Sequence, residues 1–137
     1  MIKLSIVMSG IGIVSTAGHT IESFWNTLSS GKNTYSVIDE YNNSQYRYHV
    51  GAKISDDSWE FRLPVNKHIE NYGNAAKYAI SASVAALQDA HISEKQREDL
   101  RIAVCIGTTM GEIEIEEDAA KQRSEGGHLS QLKEQLS

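Results

Sequence analysis

An α/β fold, a mixed sheet covered by helices, is what the sequence predicts, and three observations predict it. Two apolar runs, Leu4-Ser-Ile-Val-Met-Ser-Gly-Ile-Gly-Ile-Val-Ser-Thr-Ala-Gly18 and Arg101-Ile-Ala-Val-Cys-Ile-Gly-Thr-Thr-Met-Gly-Glu112, each break on glycine, as a buried strand feeding a tight turn should. Segments with helical spacing of apolar residues lie between them. The second strand, residues 101–106, is apolar without alternation after Arg101, the pattern of a strand buried on both faces.

The elements follow in order. After the first strand, Thr20 can N-cap a helix that carries Ile21, Phe24, Trp25 and Leu28 on one face, and Gly31 is placed to end it. Residues 32–48 are polar and rich in Asn, Ser and Tyr, which predicts an exposed loop with one short strand within 46–52. The only proline, Pro64, pushes Leu63 towards an extended conformation, and a helix is expected beyond it. Residues 74–90 read as the clearest helix, because Ala76, Ile80, Ser83, Leu87 and Ala90 recur at helical spacing while Ala75, Ala79, Ala82 and Ala86 keep its other sides small. Few charges interrupt it, so burial on more than one side is expected. Ser93 and Gln96 match a capping box that opens a short helix ending near Leu100. In residues 112–123, Ile113 and Ile115 alternate like a strand, but carboxylates at the start with Lys121 and Arg123 at the end complement a helix dipole, and a helix is predicted. Gly126 and Gly127 should stop it, and Leu129, Leu132 and Leu136 give a weak amphipathic tail. No helix-ending glycine or proline lies near Ser137, as expected of a cut inside a longer chain.

Composition excludes several classes of function. A length of 137 residues suits one unit without an internal boundary, and a formal charge of −5 with interspersed signs offers no cationic footprint for nucleic acid or anionic lipid. A single cysteine, Cys105, cannot form an internal disulfide, which makes the cytoplasm the simplest address. Ser5, Ser9, Gly10 and Gly12 interrupt the first apolar run and suit a strand and turn better than a signal peptide. No segment has the length of a transmembrane helix, so no membrane partner is expected.

Several weaker signals have bland explanations. Gly10, Gly12 and Ser15 fall short of a dinucleotide fingerprint, since Ser15 stands where a third glycine belongs. Ser29 and Lys32 match a Ser-x-x-Lys pair, but Gly31 marks a helix end where that nucleophile needs a helix start. The five histidines show no metal-ligand spacing, and the acidic stretch from Glu112 to Asp118 lacks the turn residues of a cation loop. Tyr35, Tyr41, Tyr46 and Tyr48 read as packing residues rather than a partner surface.

Four blocks, in order and at matching spacing, resemble the β-ketoacyl synthases, the condensing enzymes of fatty acid and polyketide assembly. Met8-Ser-Gly-Ile-Gly-Ile-Val-Ser-Thr-Ala-Gly18 is similar to the family's first strand and turn, with Gly10, Gly12, Ser15 and Gly18 coinciding and Thr16-Ala17 in place of Pro-Leu. Phe24, Trp25, Leu28, Gly31 and Lys32 match its first helix, and Tyr78-Ala-Ile-Ser-Ala with Ala86-Leu-Gln-Asp-Ala90 match its alanine-rich helix. Ile106-Gly-Thr-Thr-Met-Gly111 resembles the family's Ile-Gly-Ser-Gly-Met-Gly loop, with Thr109 where a glycine is usual and Glu112 in place of another just after it.

The resemblance implies the N-terminal part of a thiolase-like fold, incomplete in this chain and exposing apolar faces that another segment must cover. It implies that Met110 is an acyl-pocket gate, a flexible thioether in a wall that adapts to chains of different length, and that Gly107, Thr108, Thr109 and Gly111 form the pocket loop. It places the nucleophilic cysteine, two histidines and a lysine beyond the matched region, so no catalytic residue is expected here, and the pattern requires no metal or cofactor. Cys105, inside an apolar run, is expected to be a buried and inert thiol. The implied activity of the complete protein is decarboxylative acyl condensation, and the alternative is a non-catalytic chain-length-factor-like subunit that shapes the acyl tunnel of an active ketosynthase. The implied partners are a ketosynthase subunit or a missing C-terminal segment, an acyl carrier protein and an acyl chain, in a homo- or heterodimer.

Overall fold

Helix ends are where this chain states its structure most plainly. In the computed structural model, which describes residues 5–39, 46–54, 57–63 and 68–124, Thr20 is extended and its hydroxyl accepts from the Ser23 backbone N–H at 3.1 Å, while the Ser23 hydroxyl accepts from the Thr20 N–H at 3.1 Å. This reciprocal cap opens α1, Ile21–Ser29. At the other end Gly31 takes φ +65°, its N–H donates to Leu28 O and the Lys32 N–H donates to Thr27 O. That pair of bonds is a Schellman stop, which needs a residue in the left-handed region.

The polar stretch after α1 contains a small antiparallel pair, β1 (Ser36–Val37) with β2 (Val50–Gly51), in register Ser36 to Gly51 and Val37 to Val50. The strand expected within 46–52 is therefore present but short, and its partner lies in what reads as loop. Tyr35, Tyr46 and Tyr48 are exposed rather than packed, and Tyr41 lies outside the described residues.

Trp59 sits in a 3-10 segment, Asp57–Arg62, and a second 3-10 turn covers Ile69–Asn71. Residues 64–67, where the helix expected beyond Pro64 would begin, lie outside the described residues, and α2, Asn74–Asp89, is the longest described element. Two adjacent sides of α2 meet different neighbours. On one, the Ser81 hydroxyl, fully buried, donates to the Trp59 carbonyl at 2.9 Å, and the Tyr78 ring meets the Trp59 ring edge-on at 4.8 Å. Trp59 and Ser81 are the buried residues among those described. On the other side, Gly10 and Gly12 press against the α2 backbone. A Cβ on Gly10 would collide with the Ala86 carbonyl and lie 2.8 Å from Ala90 Cβ, and one on Gly12 would collide with the Ala82 carbonyl and lie 2.7 Å from the Ala86 nitrogen. Alanines four residues apart on α2 thus receive glycines two apart on the preceding segment. The contact is fastened where the Ile11 N–H donates to Asp89 Oδ2 at 2.9 Å.

A second Schellman stop ends α2, with His91 N–H to Gln88 O and Ile92 N–H to Leu87 O, both 3.0 Å. Its left-handed residue is His91, at φ 56°. Ser93 and Gln96 form the expected reciprocal cap of α3, Glu94–Asp99, which ends against Leu100. The acidic stretch is helical, α4 running Ile113–Ser124. The stop at Gly126 and Gly127 and the leucine tail lie outside the described residues.

The two apolar runs behave otherwise than their composition alone predicts. Residues 5–14 and 101–108 carry no ladder of backbone hydrogen bonds, and the described sheet is β1 with β2. Ile6, Val7, Met8, Ile102, Val104 and Ile106 are exposed. A strand exists only by its neighbour's N–H and C=O groups, and no described segment supplies them. The chain is an incomplete α/β unit whose sheet-forming segments stand uncovered.

Candidate functional site

The loop after the second apolar run carries the predicted site residues, and its shape is set by Gly111 and a hydroxyl. Gly111 takes φ +60°, and its N–H donates to Thr108 Oγ1 at 3.0 Å, which folds residues 108–111 into a turn. Thr109 does not take a positive φ, so the side chain that stands where glycine is usual meets no backbone strain. Gly107, Thr108, Thr109 and Met110 are exposed, Met110 at 63 %, and Gly111 is half-buried. A Cβ at Gly107 or Gly111 would have nothing within 4 Å. The loop thus borders open space, exposed up to Met110 and half-buried at Gly111.

The residue after the turn does more than its sequence suggested. Glu112 Oε1 accepts from the Ala76 N–H at 2.7 Å, across 36 positions of chain. Ala76 is the third residue of α2, where an unpaired N–H needs an acceptor, and Gly73 at the N-cap offers no side chain. The Glu112 carbonyl also accepts from Ile115 and Glu116, at 3.0 and 3.3 Å, and so opens α4. A substitution that reads as a loss of loop glycine is a remote helix cap, invisible to local patterns because its partner is so distant.

Cys105 is exposed, not buried as expected, because among the described residues no neighbouring strand covers residues 101–108. Among the described residues no group of three His, Cys, Asp or Glu side chains could hold a metal ion, and no helix is long and apolar enough to cross a membrane. In α4, Glu116, Glu117 and Asp118 are exposed, with Asp118 and Lys121 paired at 3.8 Å in the open. Clefts lie elsewhere. One of about 410 Å³ runs beside the first turn between Ser15, Thr16, Thr20, Lys32 and Lys53, and one of about 470 Å³ lies between Leu87, Ile92 and Arg97.

Comparison with known proteins places this geometry. The fold matches that of the ishigamide ketosynthase/chain length factor with a TM-score of 0.69 and 22% identity, over 88% of this chain and 30% of that one. It is therefore the N-terminal part of a thiolase-like fold. The family profile described as Beta-ketoacyl synthase, N-terminal domain, matches residues 3–135, so the chain belongs to the β-ketoacyl synthase family. It is 26% identical over 129 residues to the chloroplastic 3-oxoacyl-[acyl-carrier-protein] synthase I of Arabidopsis thaliana, covering 92% of this chain and 27% of that protein. It is 25% identical over 127 residues to 3-oxoacyl-[acyl-carrier-protein] synthase 2 of Vibrio cholerae, covering 93% and 30%. The chain spans under a third of the length of these relatives.

Proposed function

We propose that this chain is the N-terminal portion of a β-ketoacyl-acyl-carrier-protein synthase-like protein of fatty acid or polyketide biosynthesis, whose complete form condenses an acyl group with a malonyl unit. The observation that carries the reading is the family match across residues 3–135, with its motif blocks in order. The nucleophilic thiolate and the histidines of that chemistry come from the rest of the fold, supplied by a continuation or by a partner subunit. This chain contributes framework and one wall of the acyl pocket, with Met110 as its gate. An acyl carrier protein delivers the substrate, and the working unit is a dimer in the cytoplasm, a compartment consistent with a lone cysteine.

A chain-length-factor-like role is the second reading. It is favoured by the structural likeness to a ketosynthase/chain length factor and by Thr109 and Glu112, since a loop freed from supporting its own catalysis is freer to change. In that role the chain pairs with a complete ketosynthase and shapes the shared tunnel.

The test is reconstitution of the chain with the polypeptide that completes its fold, followed by assay of malonyl incorporation into carrier-bound acyl product. Condensation, with products shortened by Met110→Trp, supports the proposal. Absence of condensation in a folded assembly that holds a ketosynthase cysteine overturns it. A completing polypeptide that is itself a whole ketosynthase selects the second reading, and one that supplies only the remaining strands and catalytic residues selects the first.

A further inference from the structure

We infer that Glu112 is the positioning residue of the pocket loop: its carboxylate anchors the turn to the start of α2 and thereby fixes the seat of Met110. The consequence for acyl-chain length rests on Met110 acting as the gate. The anchoring itself does not.

Three observations converge on this role. The loop has little packing to hold it, because Met110 is largely exposed and Gly107 and Gly111 both face open space. Two polar bonds hold it instead, one within the turn and one to α2. One is the internal bond from the Gly111 N–H to Thr108 Oγ1 at 3.0 Å. The other is the bond from the Ala76 N–H to Glu112 Oε1 at 2.7 Å, two residues from Met110. A carboxylate accepting from a helix N-terminal N–H is a short, charge-assisted bond in the favourable direction of the helix dipole, so it is the stronger of the two.

The third observation is complementarity between Gly73 and Glu112. A Cβ on Gly73 would collide with Glu112 Oε2, lie 2.7 Å from its Cδ and 3.3 Å from Ile115 Cδ1. The N-cap is bare where the carboxylate enters. The backbone of Gly73 is ordinary, φ −70° and ψ 170°, a conformation open to any residue, so glycine there makes room for Glu112 and answers no conformational demand.

That arrangement supplies its own control. Glu112→Ala removes cap and anchor together, whereas Gly73→Ser with Glu112→Ala returns a local hydroxyl cap to α2 and leaves the loop unanchored. Glu112→Gln keeps an acceptor for Ala76 and should rescue both. The readouts are hydrogen exchange at the Ala76 amide and the methyl resonance of Met110 in the full chain, with product-length distribution in the completed assembly. In Glu112→Ala, Ala76 exchange should rise on the order of tenfold and the Met110 methyl should move towards its unstructured position. In the double variant Ala76 protection should return while Met110 stays displaced, and product lengths should broaden in both of these variants but not in Glu112→Gln. A double variant with wild-type Met110 signal and product lengths overturns the inference and leaves Glu112 a helix cap alone. Unchanged Ala76 exchange in Glu112→Ala overturns it as well. If Met110→Trp leaves product lengths unaltered, the pocket reading fails separately, and the Met110 methyl still decides the anchor.

Discussion

Single glycines separate two physical demands in this chain. Gly12 answers crowding: its missing side chain lets the first segment lie on the α2 backbone at Ala82 and Ala86. Gly12→Ala should therefore destabilise the chain by about 1–3 kcal/mol through overpacking, read as a lowered urea midpoint with unchanged slope. Gly31 answers conformation instead, since a Cβ there meets nothing within 4 Å but φ is +65°. Gly31→Ala should cost about 1–2 kcal/mol, all of it from the left-handed backbone. His91 holds the same conformation at the end of α2 with a side chain attached. His91→Gly should accordingly stabilise by about 0.5 kcal/mol, the relief of left-handed strain partly offset by the greater entropy of the unfolded chain. A His91→Gly variant less stable than wild type would show that the imidazole contact with Gln88 O, at 3.1 Å, outweighs the strain.

At the scale of elements, what was legible in the sequence was what is local. Thr20 and Gly31 bounded α1, Ser93 and Gln96 opened α3, and the alanine-rich spacing gave α2, because caps and helical periods bond residues a few positions apart. The composition of the apolar runs predicts strands, yet strand formation depends on a neighbour that no described segment provides. The Gly-Thr-Thr-Met-Gly pattern marks the candidate loop in the sequence, but nothing there marks Glu112 as the cap of α2, since a 36-residue separation leaves no periodic trace. The Trp59 contact was hidden for the same reason. Ser81→Ala removes the buried hydroxyl bond to the Trp59 carbonyl, so a loss of about 0.5–1.5 kcal/mol is expected, with a change in tryptophan emission that Ser83→Ala, at an exposed position, does not produce.

For the whole molecule, exposed area decides the picture. Among the described residues, Ile6, Val7 and Met8, Ile102, Val104 and Ile106, and Ile21, Trp25 and Leu28 of α1 are all exposed. Patches of this kind recruit partners or aggregate. The isolated chain should bind a hydrophobic dye strongly and sediment above its monomer mass, and the polypeptide that completes the fold should suppress both. A monomer that binds no dye would contradict the incomplete-fold account.

The most direct measurement is residue-resolved hydrogen exchange on the dilute chain alone and in the completed assembly. The account predicts that amides of residues 6–8 and 102–106 exchange at nearly unfolded rates in the chain alone and slow on the order of a hundredfold once neighbouring strands pair with them, while residues 78–87 of α2 are protected in both. Slow exchange at 6–8 and 102–106 in the dilute, monomeric chain would mean that these segments already have their partners, and would contradict the claim that this is one part of a ketosynthase fold awaiting the rest.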